Sequence, residues 1–71
     1  MTLDAQAPRS AFIDSMDRDL SRITDFDKLS DRVGYWNRRL ALRAHTDAEA
    51  RAFEEVVGKH SRRVMSLLRA G

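Results

Sequence analysis

The chain has 71 residues, no Cys, 34% charged and 42% hydrophobic residues, and a formal net charge of +2. That length supports one hydrophobic core and no second; with no Cys there is no disulfide, thiolate zinc site or Cys nucleophile. No apolar run approaches the roughly 18–20 residues of a membrane span, and no signal-peptide core follows Met1, so the expectation is a soluble cytoplasmic protein.

One Pro and three Gly argue against a turn-rich all-β chain. The net charge is a cancellation. Residues 1–31 carry seven Asp against four Arg/Lys, net −3, and residues 32–71 carry nine Arg/Lys against four Asp/Glu, net +5. An acidic helix lying on basic ones accounts for such polarity from within; an acidic protein surface or nucleic acid accounts for it from without.

Residues 1–9 show no period and read as a flexible leader ahead of one helical domain, 10–71. Ser10 is an N-cap candidate, and Phe12, Ile13, Met16, Leu20 and Ile23 fall on one helical face, predicting a first helix over about 10–22. Thr24 reads as the next cap, with Asp25 and Asp27 in the first turn, where the helix dipole favours anions. Phe26, Leu29, Val33, Trp36 and Leu40 then repeat at steps of 3 and 4, the seam by which one helix packs on another. This second helix is expected over about 25–43. Gly34 within it costs about 1 kcal/mol against Ala unless a neighbouring helix comes close or the helix kinks there.

Thr46-Asp47-Ala48-Glu49 is a capping box in which the Thr hydroxyl accepts from the Glu backbone N–H and the Glu side chain reaches back to the Thr N–H. Ala50, Phe53, Val57, His60, Val64 and Leu67, widened by Val56 and Leu68, form the apolar stripe of a third helix over about 47–70. Only residues 44–46 then separate the second and third helices, so these two pair as an antiparallel hairpin that the first helix closes. The fold class is all-α, three helices. Its thin core makes self-association as a homodimer, or a protein partner, a natural complement.

No constellation carries chemistry. His45 and His60 stand alone; His60 on the apolar stripe reads as a core histidine and not a metal ligand. Asp17 and Asp19 point to different sides of their helix, and Asp27 and Asp31 are exposed neighbours, so no carboxylate pair is set for acid–base work. The chain therefore reads as a non-enzymatic interaction module without cofactor or metal. Tyr35 and Trp36 with Arg38, Arg39 and Arg43, and the distal Lys59, Arg62 and Arg63, are the candidate partner-binding residues. The two basic groups fall toward opposite ends of the hairpin, which disfavours one phosphate-tracking patch. A small basic DNA-binding dimer of the antitoxin or plasmid-regulator kind is the rival reading, and a subunit or chaperone of a helical heterocomplex a third.

Arg22-Ile23-Thr24-Asp25-Phe26-Asp27-Lys28-Leu29 is similar to the opening of the second helix in the Hha/YmoA family of small nucleoid-associated modulators. Thr46-Asp47-Ala48-Glu49 followed by Phe53 is similar to that family's capped third helix. The resemblance spans roughly residues 20–64. It departs at Val56-Val57-Gly58-Lys59-His60, where the family's Asp is missing, in a longer stretch around 40–45, and in the lack of a Trp-containing segment after Leu68. It implies binding to the oligomerisation domain of an H-NS-like nucleoid protein, modulating transcription without reading bases.

Overall fold

The computed structural model describes residues 10–70: α1 (Ala11–Ser21), α2 (Phe26–Ala41) and α3 (Asp47–Ala70). The domain is all-α, as the spacing predicts, and no helix among the described residues is long and apolar enough to cross a membrane. The proposed leader, 1–9, lies outside the described residues.

Each helix starts where a side chain or an extended residue interrupts the preceding coil. The Ser10 hydroxyl accepts from the Ile13 N–H at 3.1 Å, filling one of the donors that a helix start leaves orphaned. The α2 cap is Asp25 and not Thr24. The backbone stays extended through Asp25 (φ −112°, ψ 129°), so Phe26 is the first helical residue; the Asp25 side chain makes no capping bond. The Thr46 hydroxyl accepts from the Glu49 N–H at 3.1 Å as expected, but the Glu49 carboxylate turns away to Arg43, 3.0 Å, and to the Ser10 hydroxyl. Only half of the capping box is thus closed on itself; the other half ties the start of α3 to the start of α1 and the end of α2.

Helix α2 ends at Ala41, two residues short of the expected end. The Leu42 N–H reaches back to the Arg38 and Arg39 carbonyls and the Arg43 N–H to Leu40, tightening the last turn and stopping propagation. The link to α3 is therefore residues 42–46, still short enough to fold α2 and α3 back on one another.

Ile13, Met16 and Leu20 of α1, Leu29 and Leu40 of α2, and Phe53, Val56 and Val64 of α3 form the core. The spacing of Ile13, Met16 and Leu20 keeps all three on one face of the shortest helix, and α1 supplies three of the five side chains that are sealed from water. At about 1.5–3 kcal/mol per buried side chain, α1 holds much of the hydrophobic stabilisation although it is only 11 residues long. The predicted stripes run out at their ends: Leu67 (46% exposed) and Leu68 (59%) are open to solvent because α3, at 24 residues, outruns the helices that would cover it, and Phe26 (43%), the first residue of α2, is exposed as well. Val56 goes into the core more deeply than Val57. Gly34 serves no close helix approach; a Cβ there would meet only the Arg38 guanidinium at 3.6 Å.

Candidate functional site

Two carboxylates two residues apart on α1 each secure a different helix. Asp19 faces α2: its Oδ2 accepts from Trp36 Nε1 at 2.7 Å and from Arg32 Nε at 2.8 Å. Partial burial works to raise its pKa, but those two hydrogen bonds and the charges of Arg32 and Arg22 outweigh it and hold the carboxyl below its ordinary value. Asp17 faces α3, with Lys59 Nζ at 2.9 Å and His60 Nε2 at 2.6 Å from its Oδ1.

His60 is 3% exposed, the core histidine that its place on the stripe predicts, and is held by two hydrogen bonds. Arg63 Nε can only donate, and it lies 3.1 Å from His60 Nδ1, so Nδ1 is the acceptor and Nε2–H donates to Asp17. Arg63 Nη2 goes on to the Leu20 carbonyl at 2.8 Å, a second donor to an oxygen that also accepts from the Ile23 N–H at 3.1 Å at the end of α1. Histidine, Arg63 and Lys59 therefore clamp α1 to α3.

A second cluster covers the α1/α2 side. Phe12 and Trp36 meet edge to face at 5.4 Å, and Tyr35 and Trp36 do so at 5.3 Å. Guanidinium groups interleave with the rings: Arg32 lies 4.4 Å from the Tyr35 centroid, Arg39 5.5 Å from Tyr35 and 5.8 Å from Trp36, and Arg43 4.8 Å from Phe12. Arg39 Nη1 also donates to the Tyr35 hydroxyl at 3.0 Å. Arg43 is paired with Glu49 and Arg32 with Asp19, whereas Arg39 has no carboxylate partner among the described residues. Glu49 is held below the usual carboxylate range by the Ser10 hydroxyl and the Arg43 guanidinium beside it, the latter as an ion pair at 3.0 Å.

The eight residues singled out from sequence do not form one patch. Tyr35, Trp36, Arg39 and Arg43 share the aromatic face, joined there by Phe12 and Arg32. Arg38 lies back over Gly34, and Arg62 over Gly58, on the outer edge of the hairpin. Lys59 and Arg63 are occupied by Asp17, His60 and the Leu20 carbonyl. Arg32 stands at i−3 from Tyr35 and i−4 from Trp36, a spacing that marks it as their helical neighbour; Phe12 carries no such mark, since it arrives from another helix.

Among the described residues no group of three or more His, Cys, Asp or Glu is arranged to hold a metal ion. Comparison with protein-family models, curated proteins and solved structures finds no match.

Proposed function

We propose that the chain is a non-enzymatic protein-interaction module and that the aromatic–arginine face is its binding surface. The observation that carries this reading is Arg39: a guanidinium lying over two half-buried rings, with no carboxylate partner among the described residues. Such a group suits an acidic side chain brought by a partner, with Tyr35 and Trp36 giving the apolar contact that anchors it. The cations of α2 and α3 divide between separate faces, and several are neutralised by Asp17, Asp19 and Glu49, which favours a protein over a duplex-tracking role. Within this class the partner implied by the Hha/YmoA resemblance is the helical oligomerisation domain of an H-NS-like nucleoid protein, with the chain acting as a transcriptional modulator.

The test is affinity capture from the native lysate, with nuclease-treated and untreated halves, using wild type and a Tyr35→Ala/Arg39→Glu variant. The same protein recovered in both halves and lost with the variant supports the proposal. Recovery that vanishes on nuclease treatment, together with duplex binding that falls steeply with salt, gives the function to DNA instead.

A further inference from the structure

On the side of the hairpin away from α1, α2 and α3 leave a groove of about 160 Å³ whose lining includes Phe26, Leu29, Val33 and Val57, with Ser30 and Ser61 as its hydroxyls. Apolar surface continues beyond it. Leu68 stands at i+7 from Ser61 and i+11 from Val57, on the same line of α3, and residues 65–70 are all exposed. Phe26, Met65 and Leu68, between 43% and 59% exposed, therefore gather at one end of the groove.

Charge is divided along the same edges. Asp27 and Asp31 follow Phe26 and Ser30 by one residue, about 100° further round α2 on the outer rim. Arg62 follows Ser61 in the same way on α3, its guanidinium lying over Gly58. Since the helices run antiparallel, the acidic end of α2 lies beside the basic end of α3, which carries Arg62 and Arg69. None of these four makes an ion pair with another described residue.

We infer that this groove is closed by a second copy of the chain, related by a two-fold axis parallel to the helices. That operation lays α2 of each copy on α3 of the other and builds a four-helix layer of antiparallel neighbours. It sets Phe26 against the partner's Met65 and Leu68, and Asp27 and Asp31 against the partner's Arg62 and Arg69. A two-fold axis across the helices also alternates the charges. It sets the apolar end against the end where the same faces carry Asn37, Ala41, Ala50 and Glu54, however, leaving Leu68 no apolar side chain larger than Ala to pack on. Apolar matching thus selects the parallel axis. The surface lies opposite the aromatic–arginine face, so the dimer stands or falls independently of the function proposed above.

The experiment is sedimentation equilibrium of wild type, Leu68→Glu, Asp31→Arg and Arg62→Asp, with helicity checked by circular dichroism. All three positions are exposed, so the monomer fold is retained. Wild type is expected to dimerise, and each variant to associate about tenfold or more weakly, because the symmetry applies every change twice. Asp31→Arg mixed with Arg62→Asp is expected to recover the dimer, since each supplies the charge the other needs at both contacts. Tyr35→Ala/Arg39→Glu is expected to dimerise as wild type does. The inference is overturned by a wild type that stays monomeric to about 100 μM, by a dimer indifferent to Leu68→Glu, or by a mixture that stays monomeric. A monomer whose Leu68→Glu form loses a captured protein assigns the groove to a foreign chain and overturns it equally.

Discussion

Replacing Asp19 by Asn keeps the shape of the side chain and removes its charge, isolating what the carboxylate does for the α1/α2 contact. The charge-assisted bond from Trp36 Nε1 becomes a neutral one, and the bond from Arg32 Nε keeps its cationic donor but loses the charge on its acceptor. A hydrogen bond to a charged group contributes about 1.5–3 kcal/mol and a neutral one about 0.5–1.5, so the loss at Trp36 is about 1 kcal/mol. The Arg32 side chain is 40% exposed, and solvent screening cuts its share to about 0.3 kcal/mol. A total near 1–1.5 kcal/mol lowers the Tm of a domain this size by roughly 5–10 °C. Trp36 is the only tryptophan, so its fluorescence during urea or thermal unfolding reads the site directly.

Acid supplies the internal control. Because the Asp19 pKa is lowered on folding from an ordinary value of 3.8, the unfolded chain binds the proton first as the pH falls. The wild-type advantage over Asp19→Asn is then complete at neutral pH, begins to shrink near the unfolded value and is gone below the folded one. Equal midpoints for the two proteins at neutral pH refute the reasoning. So does a difference that persists undiminished at about pH 2.

Arg63→Lys keeps the charge but cannot serve the His60 ring and the Leu20 carbonyl at once, and should cost about 1 kcal/mol by chemical denaturation; an unchanged midpoint would contradict the bridging role. Gly34→Ala is expected to stabilise by about 0.5–1 kcal/mol, since the new Cβ meets only a mobile guanidinium at 3.6 Å; a lower Tm would show a contact that the geometry does not contain. Thr46→Ala removes the α3 cap and should cost about 1 kcal/mol, with faster hydrogen exchange at the Glu49 amide as its local signature.

The helices are legible in the sequence because the 3-and-4 spacing of Ile13, Met16 and Leu20, of Phe26, Leu29 and Val33, and of Phe53, Val57, His60 and Val64 reports a buried face whichever neighbour covers it. Neighbours themselves are not legible. A helical wheel puts Asp17 and Asp19 on different sides of α1 without saying that His60 lies beyond one and Trp36 beyond the other. The same holds for Arg63: read as a surface cation in a basic run, it is spent on a carbonyl 43 residues earlier in the chain. Exposure at the helix ends is hidden for a related reason, since periodicity cannot tell where the covering helices stop, and Leu68 fits the stripe while lying outside the core. Of the candidate site, Tyr35, Trp36 and Arg39 are visible as neighbours on one helix, whereas Phe12 joins them only through the tertiary fold.

The placement of Asp17 and Asp19 on opposite flanks of α1 also decides how many ways this small core can be assembled. Ile13, Met16 and Leu20 are near enough in size that an oily contact alone would accept α1 turned on its axis or shifted along its groove. A slide of one turn carries each carboxylate about 5.4 Å along the helix, away from Trp36 on one side and His60 on the other. Rotation in either sense brings one closer only by withdrawing the other. The two acids act as a key with teeth on both edges: the apolar stripe draws α1 to the hairpin, and the pair of charges admits a single orientation.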